Sequence, residues 1–188
     1  MPTHLQTPRK AERPVLWIIN PDLLTSSIVE EEGIALEAAN LQAVQRIERW
    51  LKASIEVYQT IGVETVLSSD KYRALVEVAH DRGFEVRMIY VLLNSVELNI
   101  ERVRLRVSEG GHDVPEGKIR ARRARSFEQL AWFLDKVDEL FVFDNSTREP
   151  DLLIIKRRGW APLWPKKLPS DLRDILIAHG ISLGERAL

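Results

Sequence analysis

The chain has no cysteine, which removes disulfides, thiolate metal sites and cysteine nucleophiles together. With only four histidines, a metal centre would need His or carboxylate partners at ligand spacing, and none is visible, so no metal is expected. No apolar run approaches the ~20 residues of a membrane-crossing helix, and the polar opening residues lack the apolar core of a secretory leader. The expectation is therefore a cytoplasmic protein without membrane association. Charge of one sign is missing too: 27 basic residues face 28 acidic ones, so net charge gives no support to a nucleic-acid or membrane-surface role. The tryptophans do not alternate with basic residues as a base-stacking platform would, and nucleic acid is not an expected partner. No glycine precedes Gly33, so no glycine-rich phosphate loop can follow the first apolar segment.

What remains is a chain of 188 residues, 45% hydrophobic, long enough for one domain with a self-sufficient core. Residues 1–14, rich in proline and alternating charge, read as a disordered lead-in, and 15–188 as a single domain. Val15–Ile19, Val63–Leu67, Val86–Leu93, Leu140–Phe143 and Leu152–Ile155 are apolar runs of strand length. Between them lie helical patterns. Leu41, Val44, Ile47, Leu51, Ile55 and Tyr58 trace one stripe along a long helix that Gly62 stops, and Tyr72, Leu75, Val76 and Ala79 mark a shorter helix ended by Gly83. Asn94 with Glu97, and Ser126 with Gln129, resemble capping boxes. Leu172, Ile175 and Leu176 share one side of a last helix, and Trp132, Trp160 and Trp164 are expected to close the core beside it. Strands alternating with helices predict an α/β fold with a parallel sheet covered on both faces, whose ligands sit at the carboxyl ends of the strands.

The most distinctive stretch is Arg102–Leu130. It carries seven arginines, at 102, 104, 106, 120, 122, 123 and 125, around a Gly110-Gly111-His112-Asp113-Val114-Pro115 break. Two arginine-bearing helices hinged on glycines can close over a bound anion, because the planar guanidinium grips phosphate oxygens in pairs. On charge alone, a solvated basic face is the alternative. His112 is expected to order the hinge through a hydrogen bond.

The pattern RVxxRVxxGGHxVPxxxIxxRxxRSxxxL resembles the lid segment of the zeta-toxin family of P-loop kinases, in its bacterial chromosomal branch. Asn20-Pro21-Asp22, then Val63 to Ser69, the strand before Asn94-Ser95, and Phe143-Asp144-Asn145-Ser146 look like that family's further landmarks in order, so the likeness covers roughly residues 15–147. It implies a three-layer, P-loop-kinase-like parallel sheet flanked by helices, with a basic helical lid at about 96–125. It also implies ATP-dependent phosphoryl transfer to a hydroxyl of a small molecule such as a nucleotide sugar, with ATP and Mg as cofactors if the protein is active. One landmark is missing: Trp17-Ile18-Ile19 runs straight into Asn20, where the family places its Walker A loop.

By resemblance Asp22 is the base that takes the acceptor's proton, and its alternative is a helix cap. Glu64, with Thr65, Ser68 and Ser69, would bind the acceptor. A carboxylate inside an apolar strand needs a partner, so a structural pair with an arginine is the competing reading for Glu64. Ser68 and Ser69 could equally cap the helix containing Tyr72. Arg106, Arg122, Arg123, Arg125 and Asn145 would bind phosphate or nucleotide. Val15–Ile19 is expected in the central strand position, leaving an apolar face near Trp17 that the long helix covers or that pairs with a second copy. A homodimer is the protein partner that this face suggests, and the resemblance implies an antitoxin-like protein as the other.

Overall fold

The computed structural model describes residues 17–111, 113–164 and 166–183. The expected lead-in, Val15 and His112 lie outside them. The chain is mixed α/β and divides into two compact units, one ending at Thr65 and the other beginning at Val66.

The first unit holds β1 (Trp17–Ile19), α1 (Pro21–Glu32), α2 (Leu36–Glu56) and β2 (Ile61–Val63), and β1 and β2 pair in parallel, Trp17 opposite Ile61 and Ile19 opposite Val63. α1 begins where the sequence chemistry says it should. The Asn20 side chain accepts from the Asp22 and Leu23 amides, Pro21 fills the first turn where no amide partner is needed, and Gly33 ends the helix at a φ of 64° that other residues adopt only with strain. α1 packs on α2 through Ile28, Ala39 and Ala43, with Leu24, Val29 and Ile34 around them.

Those alanines correct the expected stripe of α2. Ile47, Leu51 and Ile55 are buried as predicted, but Leu41, Val44 and Tyr58 are exposed while Ala39, Ala43 and Ser54 are buried. Small residues at i and i+4 let a second helix approach closely, which large-residue periodicity does not register. The helix ends at Val57, not at Gly62, which lies inside β2. The second strand also lies earlier than expected, sharing only Val63 with the expected Val63–Leu67: Glu64 still donates its amide to the Ile19 carbonyl at 2.9 Å, yet Glu64, Thr65 and Val66 are exposed. Trp17 and Ile18 are exposed as well, where a strand buried on both faces was expected.

The second unit holds α3 (Arg73–Asp81), β3 (Arg87–Leu92), α4 (Val96–Ser108), α5 (Glu116–Lys136), β4 (Glu139–Asp144), β5 (Asp151–Lys156) and α6 (Ser170–Ala178). Its sheet runs β3-β4-β5, with β3 and β4 parallel. β5 is antiparallel to β4, a correction to the all-parallel expectation. The Asn145–Pro150 link is too short for the crossover that a parallel neighbour demands. Phe127, Leu130, Leu140, Val142, Ile154, Leu172 and Leu176 are almost wholly buried and form the centre of this unit; each such side chain contributes about 1.5–3 kcal/mol of transfer free energy. Ile89 and Val91 on β3 are exposed, so this strand too is buried on one side only.

Both expected capping boxes are corrected. Ser95, not Asn94, caps α4 by accepting from the Leu98 amide. Ser126 starts nothing: α5 runs unbroken from the arginine-rich stretch into the core helix, and Ser126 is buried in its middle. Of the three C-terminal tryptophans, Trp160 is 76% exposed and closes no core.

Candidate functional site

At the carboxyl ends of β1 and β2 the chain makes a small polar junction. Asn20 is its centre. Its Oδ1 accepts from the Asp22 amide at 2.9 Å and the Leu23 amide at 3.2 Å, while its Nδ2 donates to Glu64 Oε2 at 2.8 Å. One amide side chain thus fixes the start of α1 and the orientation of Glu64. Asp22 sits in the first turn of α1, where a helix N-terminus favours negative charge, and its carboxylate is exposed. The cap is Asn20, so the cap role weighed for Asp22 belongs to its neighbour. Glu64 is exposed and bonded to an amide, so the partner it needs is neither an arginine nor a response to burial.

The arginine stretch forms a helical hairpin, α4 and the first half of α5. Its turn depends on two glycines: Gly110 sits at φ 93°, and a Cβ on Gly111 would lie 2.9 Å from the Arg106 carbonyl oxygen. Ion pairs tie the two helices, Arg104 to Glu116 and Arg120 to Glu97 at 3.0 Å. The Glu97 carboxyl is held below the ordinary range, first by its own backbone amide and then by Arg120. Arg102 donates to the Asn145 carbonyl at 2.6 Å, and Arg125 to the Ser68 carbonyl at 3.3 Å, so two pairs of candidate segments meet through arginines of the hairpin. Arg106, Arg122 and Ser69 are exposed.

Arg123 behaves differently. It is buried, with Nε and Nη2 on Asp171 Oδ2 and Oδ1 at 2.6 and 3.2 Å, and Nη1 on the Leu93 carbonyl at 2.6 Å and Asn99 Oδ1 at 3.0 Å. Its guanidinium also lies 4.5 Å from the Phe127 ring centroid. Next to it, Ser126 Oγ reaches the Tyr90 hydroxyl at 2.7 Å and donates to the Val66 carbonyl at 3.0 Å. Burial pushes the Tyr90 hydroxyl up to about 12.

At the carboxyl ends of β3 and β4, the Asn94 amide donates to Ser146 Oγ at 2.7 Å, Ser146 Oγ bonds to Asp144, and the Asn145 amide donates to the Leu92 carbonyl at 2.8 Å. These bonds fix the loop that carries Asn145.

ATP and Mg do not fit the junction of β1 and α1 in the manner the resemblance implies. Ile19 ends β1 and Asn20 already caps α1, so no chain lies between them to form a backbone cradle, and the lysine and hydroxyl such a cradle supplies are absent with it. Among the described residues, no group of three or more His, Asp or Glu side chains is placed to hold a metal ion, and no helix is long and apolar enough to cross a membrane.

Sequence reasoning passed over Asn20, Asp171 and the inward turn of Arg123. Asn before Pro-Asp is a helix-start signal that names Asn20. Arg123 falls on the Ile119, Phe127, Leu130, Leu134 stripe, a visible sign that this arginine points inward. Nothing local marks Asp171.

No family model matches this chain, and no solved structure matches it. A protein of Haemophilus influenzae, described as an uncharacterized protein, is 34% identical over 68 residues, 35% of this chain and 49% of that protein. The chain thus spans about half the length of that relative.

Proposed function

We propose that this chain is a zeta-toxin-like kinase by descent, whose ATP-dependent phosphoryl transfer to a hydroxyl of a small molecule such as a nucleotide sugar is impaired by loss of the Walker A loop. The observation that supports it most is the Asn20 junction, where one side chain orients Glu64 and starts the helix that presents Asp22, both carboxylates standing in water where an acceptor hydroxyl can reach them. Two parallel strand pairs and the arginine hairpin are in keeping with the three-layer, P-loop-kinase-like sheet and lid that go with this reading. A homodimer or an antitoxin-like protein is the protein partner it brings with it. Phosphoryl transfer rests on positioning and charge stabilisation, so losing the cradle should cost at least ~10³ to 10⁵ in rate, on the order of 4 to 7 kcal/mol.

A second reading, an inactive pseudokinase that keeps an anion or nucleotide-sugar pocket, is favoured by the connectivity itself, because β1 passes into the α1 cap with no residue to spare.

Isothermal titration with a uridine diphosphate sugar and, separately, with ATP and Mg tests both. The sugar nucleotide is expected to bind, Glu64→Ala to weaken it roughly ten-fold or more through loss of a charged hydrogen-bond partner, and ATP to give no saturable heat. Failure of the wild type to bind any phosphate-bearing ligand ends both readings. Saturable ATP binding with rapid loss of its γ-phosphate would show that the activity is not impaired.

A further inference from the structure

The arginines of the hairpin are not equivalent. Arg102, Arg104, Arg120 and Arg125 are exposed and each donates to one acceptor, whereas Arg123 is buried and makes four hydrogen bonds to three segments. Those segments are the exit of β3 at Leu93, the first turn of α4 at Asn99, and the first turn of α6 at Asp171. The Asp171 contact is side-on and bidentate, the geometry in which a guanidinium takes two oxygens of a phosphate or a carboxylate. The Asp171 side chain lies in the first turn of α6, where a helix N-terminus favours negative charge, and accepts the Leu172 amide at 3.0 Å.

We propose that α6 is the latch of the hairpin: the Asp171 carboxylate occupies the fork of Arg123 as a built-in anion, making Arg123 a residue that positions the α4–α5 hairpin and not one that takes a ligand's phosphate. The phosphate-contacting part expected of Arg123 then falls to the exposed face of the same helix, where Arg122 and Arg125 lie three residues apart and so point the same way. Without Asp171, Arg123 still has the Leu93 carbonyl and Asn99 as inward acceptors, so it has no reason to swing out. What is lost is the tie between α6 and the hairpin. This inference rests on the proposed function only where it speaks of phosphate; the latch itself does not.

Hydrogen exchange on Asp171→Asn, which keeps the shape and removes the charge, reads the latch without any ligand. Amides of α4 and of the first turns of α6 are expected to exchange roughly ten- to hundred-fold faster, as loss of a charge-assisted pair implies, while those of β4 stay unchanged. Arg123→Lys, which keeps the charge and loses the fork, should do the same if it folds. Pyrophosphate affinity by titration should be equal in wild type and Asp171→Asn. Unchanged exchange in α4 overturns the latch. Tighter pyrophosphate binding in Asp171→Asn that disappears in the Asp171→Asn, Arg123→Lys double variant overturns the positioning role and makes Arg123 a masked ligand. If pyrophosphate and nucleotide sugars bind neither protein, the proposed function fails, and the exchange result still decides the latch.

Discussion

At the ends of β1 and β2 the chain leaves two carboxylates in water, held by one amide side chain; around Arg123 it buries a guanidinium and surrounds it with acceptors. Both regions are polar, yet they answer to different costs. A charge removed from water must be matched bond for bond or it destabilises the fold, so the Arg123 network is saturated and has little left to offer a ligand. Exposed carboxylates pay no such penalty and can stay unfilled. Asn20 gives Glu64 direction at 2.8 Å without neutralising it. The density of bonds is therefore a poor guide to where chemistry happens, and the sparsely bonded edge is the better candidate for binding.

The largest effect that would break this contrast is expected at Arg123. Arg123→Ala strands the Leu93 carbonyl and Asn99 Oδ1 and removes the partner of Asp171, which is half exposed and recovers part of its hydration. Urea unfolding should show a loss of about 3 kcal/mol, below the upper range for a fully buried pair because of that recovered water. A loss under ~0.5 kcal/mol would mean that the network is not what holds this unit.

Next in size is the Tyr90 hydroxyl. Burial raises it from an ordinary 10.0 to about 12, against the Ser126 hydrogen bond and the Arg123 charge, which lower it. The folded protein thus holds this proton more tightly than the unfolded chain does. The resulting stability, on the order of 2 kcal/mol, is whole below about pH 10 and disappears as pH rises towards 12. Subtracting the unfolding free energy of Tyr90→Phe from that of the wild type across pH 9 to 12 should isolate this loss from lysine titration. A flat difference would place the hydroxyl in contact with water.

Much of the architecture was legible because it follows from periodicity and breakers. Five strands, the long α2, the hairpin on Gly110 and Gly111, and the Gly83 stop all appear near where the residues put them. What failed did so for identifiable reasons. Ala39 and Ala43 carry the α1 contact, but alanine is too small to register as an apolar stripe. Ser126 looked like a helix start because Gln129 follows it, yet its hydroxyl is spent on Tyr90 and Val66, partners far away in sequence. The antiparallel β5 follows from the length of the Asn145–Pro150 link, which the composition of the strand does not reveal. At the edge itself, Asp22 and Glu64 were singled out by resemblance, while Asn20, which joins them, was visible only as part of a motif.

The smallest effect is expected at that joint, and it sharpens the contrast most. Asn20→Ala removes the acceptor for the Asp22 and Leu23 amides, a cap loss worth about 1 kcal/mol, and frees Glu64. Asn20→Asp keeps the cap oxygen but sets a second carboxylate against Glu64 in place of the donor. If the edge is a binding site, the two variants should part company: Asn20→Asp should stay within ~0.5 kcal/mol of wild type in urea unfolding, since exposed like charges repel weakly, yet both should lose affinity for a nucleotide sugar. Stability would then follow the cap and binding would follow the orientation of Glu64. Equal binding by Asn20→Asp and wild type would show that Asn20 serves only as a cap, and that the exposed carboxylates gain nothing from being aligned.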